Sequence, residues 1–164
     1  MMSIIHVRID DRLIHGQVAV VWTNTLQASR IMVVNNNAAG DDMQKSILKM
    51  ATPPGVKLSV LSVDKAVDRI KEGRYDSDRV FMILKNPSDV LELIKRGIDI
   101  KEVNVGNMAN RGGTTQIKKS ISISEEDLKA FLELNKMGVK LTARMIPNEG
   151  ENDLMDFIKQ KGLV

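Results

Sequence analysis

Short apolar runs alternate along the chain with longer stretches in which apolar residues recur every three or four positions. Ile4 to Ile9 is the first such run and reads as a strand. From Gly16 to about Leu26, residues Val18, Val21, Trp22 and Thr25 fall at i, i+3, i+4 and i+7, which predicts a helix with these four on its buried side. Ile31 to Val34 is continuously apolar, as expected for a strand covered on both faces, and Asn35-Asn36-Asn37 breaks it. A second helix, about Asp41 to Ala51, carries Met43, Ile47 and Met50 along one side and stops at Thr52-Pro53-Pro54-Gly55. Val56 to Val60 is shorter and more polar, which suits a strand nearer a sheet edge.

The rhythm then repeats. Val63, Ala66, Val67 and Ile70 have helical spacing, with Gly73 as the stop, and Val80 to Leu84 is the strongest buried-strand candidate. Asn86 reads as a helix N-cap with Pro87 at the first helical position, and that helix runs through Leu91 and Ile94 to Gly97. Ile100 to Val105 reads as a fifth strand. Met108 to Lys119 interrupts the pattern with a polar loop containing Gly112-Gly113, and Ser120 to Ile123 alternates like a short strand with one polar face. Ser124 and Asp127 form a capping-box pattern for a helix through Leu128, Phe131 and Leu132 that ends at Gly138. Val139 to Ala143 returns as a strand, and a last helix spans about Asn152 to Lys161.

No internal repeat or linker interrupts residues 1–164, which read as one domain. Repeated β–α alternation predicts an α/β fold: an open, mainly parallel sheet with helices on both faces and right-handed crossovers. By analogy with doubly wound folds, strand one is central with strand four beside it. The loops carrying Lys85-Asn86 and Gly106-Asn107 then border the loop after strand one, at the carboxyl rim where ligands bind.

Composition narrows the function. The chain has 164 residues, enough for a sizeable core, and no cysteine, which excludes thiol chemistry and suits a reducing cytosol. Lysine plus arginine exceed aspartate plus glutamate by only 24 − 21 = 3, and aromatics make up 3%. With the basic residues scattered along the sequence and few stacking platforms, nucleic-acid binding is disfavoured. No apolar run approaches a membrane span and no secretory leader is evident, so the expected location is cytoplasmic, with membrane contact by docking alone.

The candidate chemistry sits in the turn between the first strand and the first helix. Here Asp10, Asp11, Arg12 and His15 occur together. An imidazole at the amino end of a helix has nearby free backbone N–H groups that favour an anion, and Arg12 can offer a planar fork of donors to a phosphate. The blander reading makes His15 a capping loop residue and Arg12 a surface charge paired with Asp10 or Asp11. Arg8 either points to the crevice or pairs with an acidic neighbour. Asp10 and Asp11 suit orienting Arg12 or fixing the turn, because they would repel a phosphate. His6 has the opposite parity from Ile5, Val7 and Ile9 and reads as structural, as does Trp22, packed beneath the first helix. No metal-ligand pattern is present, and Gly106, Gly112 and Gly113 match no nucleotide-binding motif, reading instead as loop glycines that need unusual backbone angles. The ten methionines read as core filling.

The segment Arg8-Ile9-Asp10-Asp11-Arg12-Leu13-Ile14-His15-Gly16-Gln17-Val18 resembles the active-site segment of the mannose/fructose/sorbose-family IIB components of the bacterial sugar phosphotransferase system. Lys85-Asn86-Pro87, Asn104-Val105-Gly106-Asn107-Met108 and Met145-Ile146-Pro147 extend the resemblance over nearly the whole chain. It implies a phosphocarrier whose His15 is transiently phosphorylated by the histidine of a IIA component and passes the group to a sugar held by membrane components IIC and IID. Arg12 is then the phosphate-stabilising residue, with Arg8, Asp10, Gly16, Gln17 and Asn107 as supporting candidates, and neither metal nor nucleotide cofactor is needed. A phosphorylation-controlled regulatory module and a small-ligand or nucleotide-binding α/β domain are the alternatives. The sugar and the oligomeric state are not legible. Asn35-Asn36-Asn37 stands where the family often has an aspartate, and Ala109-Asn110-Arg111 lies in a variable position.

Overall fold

A computed structural model describes residues 3–164 and places the predicted elements in one α/β fold. Their order is β1 (Ile4–Asp10), α1 (Gly16–Leu26), β2 (Arg30–Val34), α2 (Asn36–Ala39), α3 (Asp42–Ala51), β3 (Lys57–Leu61), α4 (Val63–Lys71) and β4 (Val80–Leu84). There follow α5 (Pro87–Lys95), β5 (Glu102–Asn107), β6 (Thr115–Lys118), β7 (Ile121–Ile123), α6 (Glu125–Lys136), β8 (Lys140–Ala143) and α7 (Leu154–Gln160). Six strands form a parallel sheet in the order β3-β2-β4-β1-β5-β8. As expected, β1 is central beside β4, and β3 lies at an edge.

The period of two along each strand sorts the core into two layers. Met32, Val34, Met82, Leu84, Val7 and Ile9 face the layer covered by α4, α5, α6 and α7. Ile31, Val33, Phe81 and Ile83 face the other layer, where Trp22, Ala19 and Leu48 cover them from α1 and α3. Because α1 leaves β1 toward one face and α5 leaves β4 toward the other, the strand order reverses between these two neighbours. The crevice at their carboxyl ends is the ligand position of doubly wound sheets.

Several local expectations need correction. The α1 stripe is rotated: Ala19, Trp22 and Thr23 are buried, whereas Val21 and Thr25 are exposed. Periodicity fixes the pitch of a stripe but leaves its phase uncertain when apolar residues occur on both sides. Met43, Ile47 and Met50 do share one side of α3, but that side faces solvent, and only Leu48 is buried. With Met137 also exposed, core filling does not account for all the methionines. The asparagine run caps rather than only breaks, since the Asn35 side chain accepts a hydrogen bond from the Ala38 N–H and starts α2. In the interrupted segment a further strand, β6, pairs antiparallel with β7, and Ser122, assigned to a polar face, is buried. The capping box at Ser124 and Asp127 is present in both directions.

Among the described residues no helix is long and apolar enough to cross a membrane. Phe81 is fully buried against the His6 ring and Trp22, so Phe81→Ala should lower the unfolding free energy by about 3–5 kcal/mol in urea denaturation.

Candidate functional site

Arg8 and Asp10 share a parity on β1 and point to the side covered by α1, opposite to Val7 and Ile9. Both are almost completely buried, at 1% exposure. Arg8 donates from Nη2 to Asp10 Oδ2 at 3.2 Å and from Nη1 to the Arg144 carbonyl at 3.3 Å. Its guanidinium carbon lies 5.4 Å from the centre of the Trp22 ring. Of the two sequence readings, pairing with the acidic neighbour is the observed one, and Arg8 lies in the interior rather than at an open crevice. Burial pulls the Arg8 guanidinium below its ordinary value, and the Asp10 charge opposes that shift.

Asp10 is the hub. It accepts the Arg12 backbone N–H at 3.0 Å on Oδ1, Arg12 Nε at 3.0 Å on the same oxygen, and Arg12 Nη2 at 3.0 Å on Oδ2. The fork-to-fork pairing holds the Arg12 guanidinium plane, and the hydrogen bonds it donates to Asp10 raise its already high pKa. One carboxylate thus stands between two guanidiniums, and the three side chains carry a net charge of +1. The Arg12 side chain remains about one-third exposed, and its Nη1 has no hydrogen-bond partner among the described residues.

Asp11 fixes the loop from the other side. Its backbone N–H donates to the Asn107 carbonyl at 3.0 Å, while its carboxylate accepts Asn107 Nδ2 at 2.8 Å and the Ala109 N–H at 2.6 Å. Asn107 therefore borders the loop as expected, whereas Asn86 caps α5 with its side chain on the Asp89 N–H. Buried Leu13 adopts φ +61°, a left-handed conformation that costs a leucine about 1 kcal/mol or more and turns the chain toward the helix. His15 then occupies the N-cap position of α1, exposed and extended, and its side chain makes no capping bond. Gly16 (φ +26°) and Gln17 follow as exposed residues of the first helical turn.

Sequence reasoning missed the roof of this site. Trp22 Nε1 donates to the Met145 carbonyl at 2.9 Å, and the Arg144 guanidinium lies 5.3 Å from the same indole ring. The Met145 sulfur approaches Arg8 Nη2 at 3.5 Å and Arg12 Nη2 at 3.6 Å, and Glu149 accepts the Met145 N–H at 2.8 Å. Met145-Ile146-Pro147 was conspicuous as a motif, but nothing in its spacing linked it to a loop more than a hundred residues earlier. Gly106 needs no unusual backbone angle. Its role is close approach, since a Cβ there would lie 2.0 Å from Arg8 Nη2.

Residues 4–164 match the family described as the sorbose-subfamily IIB component of the phosphotransferase system. The chain belongs to that family. It is 40% identical over 159 residues to the sorbose-specific EIIB component of Klebsiella pneumoniae, covering 97% of each protein. It is 41% identical over 153 residues to the mannose-specific EIIAB component of Escherichia coli, covering 93% of this chain and 47% of that protein. The crystal structure of the IIB domain of the Klebsiella pneumoniae sorbose permease superposes with a TM-score of 0.93 at 40% identity, covering 97% of this chain and 98% of that one. This IIB component is therefore a sugar-specific member of the phosphotransferase system.

Two expected outcomes follow from the geometry of this IIB component. Gly106→Ala should displace Arg8 or β5 and cost about 1–3 kcal/mol in urea denaturation; an unchanged midpoint would mean that Arg8 has room to move. His6, stacked 4.6 Å from Trp22, is pulled from 6.5 down to about 4 by burial and by the Arg8 and Arg144 charges. Between those pH values the unfolded chain binds the His6 proton and the folded one does not, so this contribution to stability is present above pH 6.5 and is lost as pH falls to about 4. His6→Phe should flatten the pH dependence of unfolding in that window by up to about 3 kcal/mol.

Proposed function

We propose that this IIB component carries a phosphoryl group on His15, received from the phosphohistidine of a IIA component and delivered to a sugar held by membrane components IIC and IID. The same reading takes residues 1–164 as one IIB domain that works in the cytoplasm and meets the membrane permease by docking. The observation that carries it is the placement of one exposed imidazole at the amino end of α1, in the same short loop as a guanidinium held rigid by a buried carboxylate.

In the first transfer a ring nitrogen of neutral His15 attacks the donor's phosphorus as the donor's own N–P bond breaks. In the second, a sugar hydroxyl oxygen attacks the phosphorus as the His15 N–P bond breaks, and the hydroxyl proton ends on the released ring nitrogen, so that His15 leaves as neutral imidazole. Such transfers ask for in-line positioning and for positive charge around the equatorial oxygens, with little covalent help from other groups. Arg12 supplies that charge. Its orientation is set before the phosphate arrives, so little reorganisation is needed at the moment of transfer. The free N–H groups of the first turn of α1, at Gly16 and Gln17, add donors beside the imidazole. Arg8 and Asp10 act as positioning residues, and Asn107 holds the loop through Asp11.

Incubation with the upstream phosphotransferase proteins and labelled phosphoenolpyruvate should mark a single acid-labile, base-stable phosphohistidine. His15→Ala should abolish the label; undiminished labelling of that variant rejects the assignment. Arg12→Ala should fold, because its side chain is partly exposed, yet transfer about a hundredfold more slowly in rapid-quench measurements. Unchanged kinetics would remove Arg12 from the chemistry.

A further inference from the structure

The basic residues are scattered in sequence, but six of them meet in space far from His15 in the sheet order. Along the outer edge of β3 runs a trough formed by two adjoining hollows of about 700 and 420 Å³, which share Lys45 and Val60. Its walls hold Arg30, Lys45, Lys49, Lys57, Lys65 and Arg69, with no carboxylate and no aromatic ring. Arg30 and Lys57 are balanced by Asp78, but Lys45, Lys49, Lys65 and Arg69 make no ion pair among the described residues. The acidic residues of the same helices, Asp42, Asp64 and Asp68, lie outside the lining. In a chain whose formal charge is only +3, this is a marked local separation of sign.

The floor of the trough is unpaired backbone. Among the described residues β3 pairs with β2 alone, and the Lys57 N–H donating to the Ser29 carbonyl and the Leu61 carbonyl accepting from the Asn35 N–H show that its odd-numbered peptide groups face inward. The N–H and C=O groups of Leu58 and Val60 therefore point outward, and neither is bonded among the described residues. Cations flank this edge from both faces of the sheet. Lys45 and Lys49 come from α3, whose Leu48 packs in one core layer, and Lys65 and Arg69 come from α4, whose Ala66 and Val67 pack in the other.

We propose that the β3 edge is a docking site for an extended, acidic peptide segment of a partner protein, which joins the six-stranded sheet as a further strand. Backbone pairing with Leu58 and Val60 gives the segment its direction and register, while carboxylates on alternate faces meet the α3 and α4 cations. A second copy of β3 is a poor occupant, because its own sequence Lys57-Leu58-Ser59-Val60-Leu61 adds positive charge to a cationic trough. Nucleic acid lacks a stacking platform here.

The test uses a fluorescently labelled peptide of about seven residues, built from glutamate, valine and threonine to match an ordinary strand length. Its binding is followed by anisotropy and by amide chemical shifts on the full chain. The expected results are saturable binding that weakens as salt is raised, with the largest shifts at Leu58 and Val60. Affinity should fall about tenfold or more in the Lys45→Glu/Lys65→Glu double variant and on N-methylation of alternate peptide amides. Lys65 is exposed and Lys45 half-buried, and circular dichroism checks the fold of the variant. Absence of binding, equal binding of the N-methylated peptide, equal binding of a single-stranded oligonucleotide, or shifts confined to the His15 loop would each overturn the proposal.

Discussion

One carboxylate shared by two guanidiniums holds the functional end of this molecule together. Asp10 is as buried as a core valine, and alone it would be costly to desolvate. Arg8 below it and Arg12 above it make the burial tolerable, and each arginine in turn needs Asp10 to be where it is. The carboxylate is therefore the member on which the other two depend. Removing the carboxylate would leave a buried arginine without its counter-charge and would release the partly exposed Arg12 guanidinium in the loop that carries His15. A surface ion pair has no such leverage, because water substitutes for either partner.

The surrounding fold explains why this triad has room. β1 sits at the centre of a parallel sheet, and on one face its side chains at positions 8 and 10 would ordinarily be apolar. Gly106 on the neighbouring strand removes the volume that a side chain would fill, and Arg8 occupies it. The indole of Trp22 and the segment after β8 close the space from above. On this face of β1 the buried charges of Arg8 and Asp10 thus pair with each other, whereas His6 Nε2 and Arg144 Nε, beside the same indole, are buried without a hydrogen-bond partner among the described residues.

Much of this was legible from the residues. The β–α alternation, the edge position of β3 and the cap residues Asn86 and Ser124 follow from local patterns that the structure repeats, while the central first strand follows from analogy with doubly wound folds. The turn holding Asp10, Arg12 and His15 was legible because its chemistry is contiguous in sequence. What escaped depends on distant contacts. The phase of the α1 and α3 stripes is decided by which side meets the sheet, so Val21 and Met43 could not be placed from spacing alone. The space-making role of Gly106 is set by a side chain on another strand. Met145 joins the site only through contacts spanning 123 to 137 positions.

Those last contacts have a consequence for how the molecule comes into being. Arg12 and His15 are synthesised more than a hundred residues before the segment that lies over Arg8 and accepts the Trp22 indole proton. A nascent chain that ends before Arg144 can form most of its sheet while its polar interior stays uncovered. Closure of the reactive end therefore waits on residues that follow it by more than 120 positions, and a proteolytic cut just before Arg144 would leave the imidazole present but its surroundings unassembled.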